Sequence, residues 1–245
     1  MSVNRGSHNH DVSPLGLLER PAYSLAMASR LVGLTKPRVS RWLRGYSYQS
    51  PTGPGRVTIR RNLAPVLPAK RSDLDPFVSF LDIVDLLFVK AFLDQGVSLQ
   101  RLRQALNEAE TILGRSRFAH KDFWTSGRNV YLQVRNHEGA LLQLLSGGQW
   151  TLAGIIQETG RQLDFDRQTG ITERWFPLGR EVPVVLDPMI CFGAPAIHRR
   201  GILTANVYDF YLAERENRDR TCQWFDLKAA EVDAAVRYQS MLAAA

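Results

Sequence analysis

Only two cysteines, Cys191 and Cys222, occur in the 245 residues of this sequence. Two thiols cannot build a disulfide framework or a four-cysteine zinc site, so both are expected to be packing side chains. The sequence has no run of about 18 apolar residues, which predicts that no segment spans a membrane. Residues 1–19 lack the apolar stretch of a secretory signal and are expected to be a flexible lead that is partly ordered near Leu15–Leu18. These absences favour a protein of the reducing cytoplasm.

Signatures of catalysis and cofactor binding are also missing. None of the five histidines lies at i,i+4 from another, and no phosphate-cradling Gly-x-x-x-x-Gly-Lys is present. The motif His198-Arg-Arg200 follows a turn and is interpreted as a solvated loop. Asp164, Asp166 and Glu173 have the spacing of a hairpin's polar face rather than of a metal site. The sequence therefore predicts no enzyme, no cofactor and no metal.

Acidic side chains are absent from residues 20–72, which hold eleven lysines and arginines. Residues 1–72 carry a net charge of +10, whereas residues 73–245 carry −3. A surface that is merely solvated normally mixes both signs. The partner of the basic segment is therefore expected to be a polyanion, and the segment to bind nucleic acid.

Two short helices around a tight turn are predicted over residues 23–44. Ser24 is a suitable N-cap for the first helix, and Gly33 can adopt the left-handed backbone of a helix end. Thr35 is the expected N-cap of the second helix. That helix has an apolar face with Val39, Trp42 and Leu43. Its opposite, basic face carries Pro37, Ser40, Arg41 and Arg44, flanked by Lys36 and Arg38. This pattern is typical of a helix-turn-helix.

The next segments predict a wing and two further helices. Turn formers fill residues 45–55, and the alternation in residues 56–61 indicates a strand, so that a two-stranded wing would place arginines beside the second helix. Residues 62–72 should lead back to the core. A nearly all-apolar helix is predicted over residues 77–93. Asp82 and Asp85 in it are expected either on its exposed rim or holding basic groups of the winged unit. Ser98 should cap a helix over residues 99–113.

Two motifs resemble the opening of MerR-type regulators. The first is the set Tyr23, Ala28, Gly33, Leu34, Val39 and Trp42. The second is Phe80-Leu-Asp-Ile-Val-Asp-Leu-Leu followed by Gly96-Val-Ser-Leu-Gln-Arg-Leu-Arg103. The resemblance implies a winged helix-turn-helix followed by further helices. The chain departs from many MerR proteins after Gly114, since no heptad run for a long dimerisation coil follows.

The rest of the chain predicts a mixed α/β middle and a small helical end. Strands are expected over residues 129–134 and 139–145, a helix over 150–160, and a hairpin over 162–176. Three C-terminal helices are expected: one capped by Thr204, one holding Cys222, Trp224 and Phe225, and one packing Val232, Ala235, Val236 and Tyr238. The fold class is thus α+β, mostly helical. The predicted units are 1–19, 20–114, 115–180 and 181–245.

The C-terminal unit carries a further specific pattern: Asp187-Pro, Phe192-Gly-x-Pro195, Ile202-x-Thr204 and Val232-x-x-Ala235-Val-x-Tyr238. It is similar to a small bacterial domain of unknown function that accompanies antitoxins of PIN-type toxin pairs. Together the two halves resemble long VapB-type antitoxins, whose partners are PIN-like nucleases. The chain departs from that family at residues 213–221, where a glycine-led turn is usual. The three-helix ending also resembles a second helix-turn-helix. Residues 181–245 have a net charge of −2, which favours a protein partner over a phosphate backbone there.

The leading hypothesis is a DNA-binding antitoxin that neutralises a PIN-like ribonuclease and regulates its own operon, as a homodimer or a toxin–antitoxin hetero-oligomer. The residues expected to bind DNA are Lys36, Pro37, Arg38, Ser40, Arg41, Arg44, Tyr46, Arg60 and Arg61. The residues expected to contact the toxin are Phe192, His198, Arg199, Tyr208, Tyr211 and Trp224. One alternative is a MerR-like regulator whose C-terminal half binds an effector or dimerises. Another is an RNA-binding protein, which the scarcity of exposed aromatic residues in the basic segment disfavours.

Overall fold

The computed structural model describes residues 14–52, 57–67, 77–100, 102, 103, 106, 118–120 and 158–244. The predicted strands 129–134 and 139–145, the wing tip at 53–56 and most of the predicted helix 150–160 lie outside these residues. The described helices are α1 (Pro14–Glu19), α2 (Leu25–Val32), α3 (Lys36–Arg44), α4 (Phe80–Asp94), α5 (Thr204–Ala213), α6 (Arg218–Phe225) and α7 (Ala229–Ala244). The α+β class is confirmed. None of the helices in the described ranges is long and apolar enough to cross a membrane.

All of the strands pair antiparallel in small sheets. The strands are β1 (Tyr23–Ser24), β2 (Tyr46–Thr52), β3 (Val57–Leu63), β4 (Phe77–Val78), β5 (Leu163–Phe165), β6 (Thr172–Trp175), β7 (Val184–Val185), β8 (Ala196–Ile197) and β9 (Ile202–Leu203). β1 pairs with β4, β2 with β3, and β5 with β6, while β7, β8 and β9 form a three-stranded sheet. The predicted hairpin over 162–176 is confirmed by the pairing of β5 with β6.

Helices α2 and α3 form the predicted two-helix unit. The hydroxyl of Ser24 accepts a hydrogen bond from the backbone N–H of Met27 at 3.1 Å, so Ser24 is the N-cap of α2. Gly33 ends α2 in the left-handed conformation. Thr35 occupies the N-cap position of α3, but its hydroxyl makes no capping hydrogen bond. The predicted apolar face of α3 is buried, and Trp42 is only 4% exposed.

Strands β2 and β3 form the wing, which is tied to the end of α3. Gly45 lies between α3 and β2 at φ 71°, and a Cβ there would lie 2.3 Å from the carbonyl oxygen of Leu63. After β3 the chain returns to the core, because the N–H groups of Val66 and Leu67 both donate to the carbonyl of Trp42, at 2.8 and 3.2 Å. Within the described residues, a two-stranded hairpin therefore follows α3 where the sequence predicts one, and residues 64–67 lead back to the core; residues 68–72 of the predicted return segment lie outside these residues.

The central helix begins later than the sequence predicts. Phe77 and Val78 pair with β1 instead of joining the helix, and Ser79 and Asp82 form a capping box that starts α4 at Phe80. Asp82 and Asp85 are both buried, so the expectation that they lie on an exposed rim is wrong. The carboxylate of Asp82 accepts hydrogen bonds from Ser79, and that of Asp85 accepts one from the N–H of Ala119 at 3.1 Å.

Three helices close the C-terminal part, in the order that the sequence predicts. The structure corrects the assignment of Thr204 as a cap. It is the first residue of α5, and its hydroxyl donates to the carbonyl of Pro195 at 3.1 Å. Cys222, Trp224 and Phe225 lie on α6, and α7 buries Val232, Ala235 and Tyr238.

The buried side chains of the two ends of the chain belong to one cluster, from Leu18 to Tyr238. One hydrogen bond joins the ends directly. The buried hydroxyl of Tyr23, in β1, donates to the carbonyl oxygen of Gly193 at 2.8 Å. Burial, with Asp187 nearby, raises the pKa of Tyr23, so this hydroxyl keeps its proton. The helix-turn-helix thus rests directly on the C-terminal part.

Candidate nucleic-acid interface

The outward face of α3 is the centre of the candidate interface. Lys36, Pro37, Arg38 and Arg41 are exposed on it, and Ser40 and Arg44 are half-buried. The face lies opposite the buried stripe, because Val39, Trp42 and Leu43 pack inward. A short helix with a buried apolar stripe and an arginine-rich outer face has the form that enters a major groove.

Two of these arginines are held by aromatic rings. The guanidinium carbon of Arg41 lies 5.3 Å from the ring centroid of Tyr46, at the start of β2. That of Arg38 lies 5.8 Å from the Trp42 ring. Such cation–π contacts restrict the side chain while leaving guanidinium N–H groups free to donate. Tyr46, in β2, therefore orients Arg41, which the sequence predicts to bind DNA.

The register of the wing separates Arg60 from Arg61. Cross-strand partners share a face, and the pairs are Tyr46 with Leu63, Ser47 with Asn62, Tyr48 with Arg61, and Gln49 with Arg60. Arg61 thus lies on the face of Tyr46, which contacts α3, while Arg60 lies on the other face. There its guanidinium donates to the hydroxyl of Ser47 at 3.1 Å. The sequence places both arginines in one group, and the structure divides them.

One basic residue beside this face is missing from the sequence prediction. Arg103 donates from Nη2 to the carbonyl of Ala64 at 2.8 Å and from Nε to that of Pro65 at 3.3 Å. It lines a cleft together with Arg38, Arg41 and Tyr46. Arg103 thereby fixes the segment that follows the wing, beside the outward face of α3. No local pattern could reveal a contact across 38 residues.

The residues predicted to contact the toxin lie in two places, on turns of the C-terminal part and on helices α5 and α6. Phe192 and Arg199 are exposed on neighbouring turns. Trp224 lies on α6, where its ring stacks on Phe210 of α5 with centroids 5.2 Å apart. Tyr208 and Tyr211 are half-buried on α5.

His198 is half-buried on the turn that follows β8. Its ring meets the ring of Phe176 edge to face at 5.3 Å. Burial, and then the charge of Arg174, lower the pKa of His198, which favours the neutral ring.

The carboxylates of the β5–β6 hairpin have structural partners. Asp164 forms ion pairs with Arg174 and Arg180. Asp166 accepts hydrogen bonds from the N–H groups of Gln168 and Thr169, at 3.0 and 2.7 Å, and those from Thr169 contribute most to lowering its pKa. The residues that the structure describes contain no cluster of three metal-ligating side chains.

Residues 21–106 match the sequence profile of a family described as "Putative DNA-binding HTH domain". The matched range includes α2, α3, the wing and α4. The prediction of a DNA-binding helix-turn-helix at this end of the chain is therefore confirmed.

The chain is similar over most of its length to a protein of Mycobacterium tuberculosis (strain ATCC 25618 / H37Rv) named "Putative antitoxin VapB45". The two are 26% identical over 196 residues, which cover 76% of this chain and 81% of that protein. The fold is similar to the crystal structure of Rv2018 from Mycobacterium tuberculosis, with a TM-score of 0.64 and 21% identity. This match covers 89% of this chain and 99% of that one.

Proposed function

We propose that this chain is the DNA-binding antitoxin of a type II toxin–antitoxin pair, and that it neutralises a PIN-like ribonuclease and represses its own operon. One observation is the main support for the DNA-binding part of the proposal. Residues 20–72, which include α3 and the wing, contain eleven basic side chains and no acidic one. The name of the VapB45 relative and the C-terminal motifs support the proposal that the chain is an antitoxin.

In this proposal the unit is a MerR-like winged helix-turn-helix with α3 in the major groove. Arg41 and Arg44 read guanine edges, for which the arginine fork is suited. Lys36, Arg38 and Arg61 contact phosphates and set the register, and Arg103 positions the wing. Tyr46 orients Arg41. The chain acts as a dimer whose two α3 helices reach successive grooves, about 34 Å apart.

In this proposal the surface that binds the toxin lies in the C-terminal part. It uses Phe192, His198, Arg199, Tyr208, Tyr211 and Trp224. The net charge of −2 over residues 181–245 disfavours a second nucleic-acid surface there.

A competition experiment with the DNA duplex upstream of the gene tests the DNA-binding part of the proposal. We expect the full chain to retard that duplex, and unlabelled random duplex or single-stranded RNA to displace it only in large excess. Displacement by single-stranded RNA at equal concentration would contradict the proposal. It would move the assignment to an RNA-binding protein, for which Tyr46 and Tyr48 provide stacking rings.

The two faces of the wing give a second expected result. Replacement Arg61→Ala should weaken binding to all duplexes and lower the slope of log K against log salt by about 1, because one phosphate contact is lost. Arg60→Ala is the matched control, since Arg60 lies on the opposite face and is bonded to Ser47. Salt titrations of both variants provide the measurement. Equal slopes for the two variants would contradict the assignment of Arg61.

A further inference from the structure

The turn at Cys191–Gly193 has an unusual backbone. Its three residues are all left-handed, with φ of 49° for Cys191, 55° for Phe192 and 82° for Gly193. Glycine adopts this conformation freely, but cysteine and phenylalanine do so only at a cost in free energy. A bulky residue persists there only where its surroundings fix it, and such positions concentrate at functional sites.

The loop at residues 187–193 is fixed from below by buried groups. Asp187 is buried, pairs with Arg174 at 3.0 Å and accepts a hydrogen bond from the N–H of Met189 at 2.8 Å. At the other end of the loop, the carbonyl of Gly193 receives the Tyr23 hydroxyl. The backbone conformation of the loop is therefore already fixed in the chain without a partner.

This rigid loop presents apolar side chains to solvent. Phe192 is 87% exposed and Met189 is 68% exposed. In a loop whose backbone is already fixed, only the side chains remain to be ordered on binding, so the entropic cost is small. Aromatic residues and methionine are enriched in the cores of protein–protein interfaces.

The positively charged side chain of Arg199 lies beside these apolar groups. The thiol of Cys191 donates to the carbonyl of Gly201 at 3.1 Å, which joins the loop to the turn that holds Arg199 and Arg200. Arg199 is exposed and left-handed as well, at φ 70°. Among the described residues it has no ion-pair partner, whereas Arg200 pairs with Asp226 at 3.2 Å. The surface thus combines an apolar tip with one uncompensated positive charge.

We infer that the loop at residues 187–193, with Arg199, is the surface that binds the toxin, and that the toxin presents an apolar pocket bordered by carboxylates. The inference rests on the proposed function and adds the site and its chemistry. Phe192 fills the pocket, Met189 packs at its edge, and Arg199 pairs with the acidic border. Aromatic and arginine anchors of this kind carry most of the binding energy in many interfaces.

Calorimetric titration of the full chain with the purified protein products of the genes adjacent to its own tests the inference, and a PIN-like nuclease among them is the expected partner. Phe192→Asn removes the ring, and asparagine tolerates the left-handed backbone, so the fold should be kept. We expect this variant to bind roughly 30-fold more weakly, and Arg199→Asn roughly 5- to 10-fold more weakly. Arg215→Asn is the matched control, because Arg215 is an exposed left-handed arginine on another turn, at φ 54°. It should bind as the unaltered chain does.

Each other outcome has a distinct meaning. If the unaltered chain binds the nuclease and Phe192→Asn binds equally well, the loop is not the contact, and the inference fails while the antitoxin function stands. If the unaltered chain does not bind the nuclease, the proposed function fails and the inference with it. If Phe192→Asn converts a dimer of the chain alone to a monomer in sedimentation, the surface is occupied by a second copy, which also overturns the inference.

Discussion

Replacement of Gly193 by alanine should destabilise the protein by about 3 kcal/mol. The added methyl group overlaps neighbouring atoms, and alanine is strained in the left-handed backbone conformation of this residue. A Cβ at this position would lie 2.1 Å from the Tyr23 hydroxyl and 3.0 Å from Cζ of the same ring. Tyr23 is buried and paired through β1 with β4, so it has little room to move. Thermal unfolding should show the melting temperature lowered by roughly 6–12 °C.

The matched control for Gly193→Ala is Gly179→Ala. Gly179 is also left-handed, at φ 89°, but a Cβ there has no neighbour within 4 Å. This control should lose only the backbone contribution, about 1 kcal/mol. The double variant Tyr23→Phe with Gly193→Ala should recover part of the loss, since the hydroxyl contact is removed. Equal melting temperatures for the two alanine variants would contradict the packing of Gly193 against Tyr23.

Replacement of Arg41 by alanine should abolish most of the preference for operator over random duplex. The discrimination lost should be roughly 5- to 150-fold, the equivalent of about 1–3 kcal/mol for one bidentate contact to guanine. The guanidinium is exposed and held over the Tyr46 ring, so the side chain is already oriented before DNA binds. Affinities for both duplexes at one fixed salt concentration provide the measurement.

Arg41→Lys separates base reading from charge. Lysine keeps the positive charge but lacks the planar fork, so it should lose discrimination while retaining the salt dependence. Arg30→Ala, which removes an exposed arginine from α2, should leave discrimination unchanged. If Arg41→Ala lowers specific and random binding by the same factor, Arg41 contacts only phosphate.

Local sequence patterns were sufficient for the parts of this fold that depend on neighbouring residues. The buried stripe of α3, the cap at Ser24, the left-handed end at Gly33 and the β5–β6 hairpin all follow from periodicity and turn chemistry. Each is determined within about ten residues of chain. The basic outward face of α3 was therefore predictable from the sequence.

The failures concern contacts between distant segments. Asp82 and Asp85 have the pattern of rim residues, but a capping box and a hydrogen bond from Ala119 allow both carboxylates to be buried. Thr204 has the pattern of a cap, but the carbonyl that its hydroxyl meets belongs to Pro195, in another segment. Periodicity carries no information about such partners.

The same limit applied to the two contacts that organise the sites. The bonds from Arg103 to Ala64 and Pro65 fix the wing, and the bond from Tyr23 to Gly193 fixes the loop under Phe192. The second of these spans 170 residues. The sequence places Phe192 and Arg199 in one group of residues expected to contact the toxin, and the fold adds the hydrogen bond from Cys191 to Gly201 that joins their turns.

The proposed function requires that the chain neutralise a nuclease as well as bind DNA. Its most direct test is the RNA-cleavage activity of the purified protein products of the adjacent genes, measured with increasing amounts of the full chain. We expect cleavage to fall to background as the chain and the nuclease reach a fixed stoichiometric ratio, and Phe192→Asn to shift this titration to higher concentration. A cleavage rate that does not change at a large excess of the full chain would contradict the antitoxin assignment.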